Sequence, residues 1–216
     1  MSKNKKIIIV AIIAIVLVLI GSGIYEIMHL ALTSTIDKPV IYFYSQEDIE
    51  VSVELEVNGE LTCTYPEYNK GWDITVHPDN TLTNHGDQEL YRYLYWEAES
   101  TKEFNMDKGF VVKGEDTAEF LRDKLSFLGL TLEEYNEFII YWLPLMEDNN
   151  YNLIHFSTEE YEEFARLNIS PEPDSLLRVF MVFKGLEEPI ELEEQVLVTT
   201  IRQGFTVVEW GGSEVD

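Results

Sequence analysis

From Ile49 to Val57 the chain alternates. Ile49, Val51, Val53, Leu55 and Val57 are apolar, and Glu50, Ser52, Glu54 and Glu56 between them are polar. A period of two predicts a strand with one buried face and one acidic face. Asn58-Gly59 follows, a dipeptide suited to a two-residue hairpin turn, so "ELTCTY" is expected to return beside that strand. "KPVIYFY" ahead of it and "GWDITVH" behind it also read as strands, and "PDNTLTNHGDQ" as turns. "LYRYLYWEAE" and "GFVVKG" complete a β-rich part over residues 38–113.

In residues 114–216 the period changes. Asp116 with Glu119, and Thr131 with Glu134, have the spacing of capping boxes. Phe120, Leu121, Leu125 and Leu128 mark one face of a helix closed by Gly129. Leu132, Tyr135, Ile139, Trp142 and Met146 form the apolar stripe of a second helix, which Pro144 should kink or end. "YNLIHF" reads as a strand, and Ser157 with Glu160 opens a short third helix through Ala165. "LLRVFMVF" is a continuous apolar run suited to a central strand, and "GFTVVEW" is the last strand before Gly211-Gly212. The fold class expected is α+β, a β-rich half followed by a mixed helix and strand half, forming one domain or two.

The N-terminus follows neither pattern. Lys3, Lys5 and Lys6 precede an unbroken apolar run from Ile7 to Ile20, and no charge appears before Glu26. Residues 7–25 as a helix reach ~28 Å, close to the ~30 Å hydrocarbon core of a bilayer. The lysines predict that residues 1–6 stay in the cytoplasm and that the chain beyond a spacer, residues 26–37, lies outside. The alternative is a signal peptide cut at Gly21-Ser22-Gly23 and a secreted product. The Ile/Val character of the run and the apolar "IMHLAL" after Glu26 favour a retained single-pass anchor. No cysteine near its end offers a lipid attachment point.

Charge narrows the partners. Residues 37–216 hold 12 of the 15 Lys+Arg and 39 of the 40 Asp+Glu, a formal charge of −27. Such a surface repels nucleic acid, whose recognition needs a basic footprint, and it repels anionic lipid. It keeps copies of the chain apart and attracts cations or basic peptides. One cysteine, Cys63, excludes an internal disulfide framework. In a predicted strand with no adjacent base it reads as a buried thiol.

"KPVIYFY", "GELTCTYPEYNKGW", "YLYWEAE", "IIYWLPLMEDNNYNLIHF" and "GFTVVEWGG" together resemble a group of uncharacterised proteins, mostly from Firmicutes, with relatives in fungi. The resemblance covers roughly residues 38–212. Phe43 and Ser45 depart from the group's "KPVIYLYP" pattern, which has leucine and proline there. The resemblance implies one globular unit and brings no functional residue with it.

Candidate chemistry concentrates in two aromatic–acid pairs, Trp96-Glu97 and Glu209-Trp210. Alternation places Tyr91, Tyr93, Tyr95 and Glu97 on one face of a strand, and Arg92, Leu94 and Trp96 on the other. A carboxylate on an apolar face has a raised pKa unless it is paired, and Glu97 with Glu209 facing each other would suit glycoside hydrolysis. The simpler reading pairs Glu209 with Arg178 or Arg92 inside a core. His77-Pro-Asp79 and His85-Gly-Asp87 could supply zinc ligands, but both sit in turn sequences where Asp bonds its own backbone. "MEDNNYN" lacks the spacing of a calcium loop. No Gly-x-Ser-x-Gly and no glycine-rich phosphate loop is present. No metal or cofactor is implied. Asn168-Ile-Ser170 is a glycosylation triplet by pattern alone. The expectation is a membrane-anchored, extracytoplasmic module that binds a ligand or partner without catalysis, through Tyr91, Tyr93, Tyr95, Trp96 and Glu97. The alternative is a cell-surface hydrolase acting on glycans through Glu97 and Glu209.

Overall fold

A computed structural model describes residues 16, 18–20 and 34–215. Residues 16 and 18–20 are helical, and the remainder of the expected anchor lies outside the described residues. No helix among the described residues is long and apolar enough to cross a membrane.

The strands are β1 (Ser34–Tyr44), β2 (Ile49–Val57), β3 (Glu60–Tyr65), β4 (Trp72–Val76), β5 (Leu82–Asn84), β6 (Leu90–Tyr91), β7 (Leu94–Ser100), β8 (Phe110–Lys113), β9 (Tyr151–Phe156), β10 (Ala165–Ser170), β11 (Ser175–Leu186) and β12 (Thr206–Glu214). The helices are α1 (Thr117–Leu128), α2 (Leu132–Met146) and α3 (Thr158–Phe164). A seven-stranded sheet runs in the order β3-β7-β1-β12-β11-β9-β8, and a five-stranded sheet in the order β10-β2-β4-β5-β6. Strands from both halves of the sequence enter both sheets, so residues 38–113 and 114–216 share their cores.

Alternation along the central strands builds three layers. Ile41 and Phe43 of β1, Val207 of β12, and Phe180 and Val182 of β11 meet Val51, Val53, Trp72 and Ile74 of the smaller sheet, with Tyr161 and Phe164 of α3. Val40, Tyr42, Val208, Trp210, Val179 and Met181 point the other way, onto Leu121 and Leu125 of α1 and Phe138, Trp142 and Met146 of α2. A strand buried on both faces is apolar almost throughout, and "LLRVFMVF" in β11 has that character. β2 buries Val51, Val53 and Leu55 and exposes its glutamates, as its period requires.

Two motifs meet at the centre of the large sheet. β1 bulges between Asp37 and Val40, with Lys38 held at φ 59. Gly211 of β12 lies under this bulge, where a Cβ would come within 3.1 Å of Pro39. At Gly212 a Cβ would come within 2.6 Å of the Met181 carbonyl and 2.7 Å of the Trp142 ring. "KPVIY" and "EWGG" are therefore two sides of one contact.

Several local expectations fail for identifiable reasons. β2 and β3 do not pair: β2 lies between β10 and β4, while β3 joins the other sheet beside β7. Gly59 is spent on close approach, since a Cβ there would sit 2.5 Å from the Glu99 carbonyl, and Asn58 N–H donates to Phe164. The continuous strand expected over 91–97 is broken: Tyr91 belongs to the smaller sheet and Leu94 begins the larger one. β1 begins at Ser34, so the spacer ends before residue 37, and β12 runs through Gly211-Gly212 to Glu214. Thr131 and Glu134 form the expected capping box, whereas neither Asp116 nor Ser157 caps its helix through its side chain. α3 ends at Phe164 because Ala165 starts β10. Pro144 lies in the last turn of α2, which continues two residues further. The buried row of α2 is Glu134, Phe138, Trp142 and Met146, while Leu132 is exposed. The charge on Glu134 hides that row from an apolar count.

Candidate functional site

The acid side chain most central to the sheet is Glu209, fully buried. Arg178 is its partner across the parallel β11–β12 ladder. Arg178 Nε and Nη2 each lie 2.6 Å from Glu209 Oε2. Trp96 Nε1–H donates to Oε1 at 3.0 Å, and Arg178 Nη1 donates to the Ala165 carbonyl at 2.7 Å. The guanidinium sits 4.5 Å over the Tyr161 ring, which stacks on Phe180 at 4.1 Å. Burial opposes the charge on Arg178, but Glu209, Tyr161 and Glu162 together outweigh it and raise its pKa. Burial, and then the Glu209 charge, push the Tyr161 hydroxyl well above its ordinary value. Both carboxylate oxygens are engaged inside the core, which is a structural use of the residue.

Glu97 is elsewhere. Alternation along β7 sends Leu94, Trp96 and Ala98 into the inter-sheet core with Glu209, and Tyr95 and Glu97 toward the helix face. Glu97 and Glu209 thus lie on opposite faces of the large sheet and do not come together across a cleft. Trp96 is 0% exposed and bonded to Glu209, so it offers no contact surface. Tyr91, on β6, packs edge-on against Tyr65 at 5.1 Å and donates to Asp87 at 2.7 Å. That bond is the first cause raising its pKa to about 12.

What remains of the expected face is half of a longer strip. Tyr42 and Tyr44 of β1, Tyr93 and Tyr95 at β7, and Glu134, Glu137 and Tyr141 of α2 line a seam between the large sheet and that helix. Tyr44 donates to Glu134 Oε1 at 2.5 Å, Tyr42 to Glu137, and Tyr95 to Glu97. Arg202 closes one end, donating to Glu134 at 3.0 and 2.8 Å and lying 4.5 Å over the Tyr44 ring. At the other end the Lys38 ammonium sits between two rings, 5.3 Å from Tyr95 and 5.2 Å from Tyr141. Burial comes first in raising the pKa of Tyr42, Tyr44, Tyr93, Tyr95 and Tyr141, reinforced by neighbouring carboxylates. The phenols therefore stay protonated at neutral pH, as hydrogen-bond donors and aromatic faces. Asp37, on the bulge, is raised to about 6 by burial and then by the charges of Glu97 and Glu214. Such a seam can receive hydroxyl-rich or cationic groups. The sequence pattern holds its second half, in Tyr42 and Tyr44 at spacing two and in Glu134, Glu137 and Tyr141 at spacings three and four, once the two elements are known to face each other.

The remaining candidates take structural roles. His77 bonds Asp48 at 2.9 Å and Thr83 at 2.8 Å, and His85 meets Glu50 at 3.1 Å. Asp79 and Asp87 accept from the backbone of Thr81 and Glu89, the turn chemistry expected of them. Among the described residues no group of His, Cys, Asp and Glu has metal-binding geometry. Cys63 is exposed rather than buried, because β3 is an edge strand whose outer face has no cover.

A Butyrivibrio fibrisolvens protein named "uncharacterized protein in bglA 3′ region" is 46% identical over 65 residues, 29% of this chain and 66% of that protein. This chain thus has a partial homologue among uncharacterised Firmicutes proteins, and it spans just under two thirds of that relative's length. No family model and no solved structure matches it.

Removing one partner of the buried pair strands the other's charge, at a cost of roughly 3–5 kcal/mol. Glu209→Gln and Arg178→Met should each lower the denaturation free energy by that order, and the double variant by less than the sum, in urea titrations. Asp37 yields a pH signature of opposite sign to an ordinary acid. Its pKa is 3.8 unfolded and about 6 folded. Below the unfolded value both states hold the proton and nothing is lost. As pH rises from about 4 to 6 the unfolded chain releases its proton first, so stability falls across that window and stays lower above it. Asp37→Asn should therefore melt above the wild type at about pH 7 and level with it at about pH 3.5.

Proposed function

We propose that the protein is a membrane-anchored, extracytoplasmic binding module without catalytic activity, whose ligand face is the tyrosine strip around Tyr93, Tyr95, Glu97, Lys38 and Tyr141. One observation carries this reading: half-exposed phenols, carboxylates and a clamped lysine share one seam, while Glu209, the acid a hydrolase would need beside Glu97, is consumed inside the core. Tyrosines give large, rigid contact area at low entropic cost, and their protonated hydroxyls recognise polar groups. The ligand class that suits them is a neutral hydroxyl-rich or amine-bearing molecule.

Binding is tested by thermal shift of the full chain in detergent against neutral oligosaccharides and organic amines. A ligand that stabilises the wild type should bind at least about tenfold more weakly to Tyr93→Ala and to Tyr95→Phe. Release of reducing sugar from any glycan, abolished by Glu97→Gln without loss of folding, would overturn the non-catalytic reading and favour the hydrolase.

The location rests on the lysine-led apolar run of residues 3–25. The protein should pellet with membranes and be degraded by protease added outside intact cells. Soluble protein in the medium beginning near Ile24 would sink the anchor.

A further inference from the structure

β11 and β12 are parallel neighbours, and parallel strands require a crossover. Here it is residues 187–205, which contain no helix and no strand, only a single bridge from Glu193 to Lys108. Yet residues 196–201 read Val-Leu-Val-Thr-Thr-Ile, five of the six β-branched, the composition of a strand interior. Val196 and Val198 are 87% and 77% exposed, while Gln195 before them and Leu197 between them are half-buried. Over residues 195–198 this is the side-chain alternation of an extended segment.

The segment is moored at both ends. Gly109 N–H donates to the Glu193 carbonyl at 3.0 Å, and Lys108 Nζ meets the Glu193 carboxylate at 2.7 Å. The Gln195 amide stands in for a strand, accepting from Phe156 N–H at 2.9 Å and donating to the Phe156 carbonyl at 2.7 Å. Leu197 packs on the helix-side core, Thr200 N–H donates to the Leu128 carbonyl at 3.2 Å, and Arg202 is tied to Glu134. Between these moorings, backbone groups of residues 194–199 have no backbone partner among the described residues. An extended edge with open hydrogen-bonding groups and exposed β-branched side chains is a template for one more strand.

We propose that this strap accepts an extended, basic peptide segment of a partner protein by strand addition. Charge selects the occupant. Glu191, Glu193 and Glu194 lead into the strap, and Asp107, Glu159 and Glu160 line the adjoining cleft of about 680 Å³. Of these six, Glu193 and Glu160 have lysine partners, Lys108 and Lys102. A second copy of the chain would bring the same glutamates and a net charge of −25 against them. A segment alternating lysine or arginine with β-branched residues would pair its backbone with the strap, its apolar side chains with Val196 and Val198, and its cations with the rim. Because the moorings already hold the strap extended, little ordering cost falls on binding. This surface does not include the proposed ligand residues Tyr93, Tyr95, Glu97, Lys38 and Tyr141, and it meets the seam at Arg202.

The probe is a fluorescent decapeptide alternating lysine and valine, titrated into the full chain in detergent and followed by anisotropy, beside a control with glutamate for lysine. The lysine peptide should bind, weaken at least tenfold between about 0.05 and 0.3 M salt, and slow amide exchange at residues 194–199 at least tenfold. Val198→Pro, which removes one edge N–H, should weaken it at least tenfold. The doubly exposed change Val196→Lys with Val198→Lys should do the same through charge, and serves if the proline variant does not fold. Four results would each overturn the proposal: no binding, equal binding of the glutamate peptide, binding indifferent to both variants, or a peptide-free dimer in sedimentation that Val198→Pro abolishes. The last would make a second copy the occupant.

Discussion

The Arg178–Glu209 pair is the interaction on which the two sheets converge. Burying two charges costs several kcal/mol per ion unless their lone pairs and protons are nearly all engaged. Here both carboxylate oxygens and the guanidinium Nε and Nη1 are hydrogen-bonded, Nη2 meets Oε2 as an ion pair without hydrogen-bond geometry, and the guanidinium face rests on Tyr161. Those partners come from β7, β10, β11, β12 and α3, so one ion pair joins the large sheet, the short helix and the edge of the smaller sheet. It also fixes register. Arg178 and Glu209 are direct partners in the β11–β12 ladder, and a slip of one residue would swing one of them into the apolar helix-side core.

A second constraint sits one step along the same strands. Gly211 admits Pro39 and Gly212 admits the Trp142 ring, so β1, β12 and α2 approach more closely than side chains would allow. That approach holds the bulge at Lys38, which sets the lysine ammonium between Tyr95 and Tyr141. The seam of tyrosines and carboxylates is thus a product of backbone packing behind it. Its phenols are oriented by carboxylates from two elements distant in sequence, which gives the seam a fixed pattern of donors.

Period alone was enough for β2, β9, β11 and β12, and for the Thr131–Glu134 start of α2, because burial on one or both faces writes itself into adjacent residues. It failed where a local signal was spent on a distant neighbour. Asn58-Gly59 has turn chemistry, but Gly59 lets the Glu99 carbonyl approach and the chain changes sheets there. Arg92-Tyr93 carries no breaker, yet the strand ends because its two parts complete different sheets. The row on α2 was misplaced by the buried charge of Glu134, whose partner Arg202 lies 68 residues away. Residues 187–205 have strand composition without a strand, since the Gln195 side chain rather than strap backbone takes the Phe156 N–H and carbonyl. Of the contact face, Tyr93, Tyr95 and Glu97 were legible as one side of a strand. Their counterparts on β1 and α2 became neighbours only through tertiary packing, and Trp96 belongs to the opposite face by the same alternation.

The order of the large sheet has a consequence for how the chain is made. Its centre joins β1 to β12, the first and last strands among the described residues, and β12 in turn completes β11. Contacts between strands far apart in sequence close long loops and are slow to form. Until Thr206–Glu214 are synthesised, β1 and β11 therefore lack the strand that lies between them. Both halves of the sheet thus wait on β12. Loss of β12 removes the middle of the sheet rather than its margin.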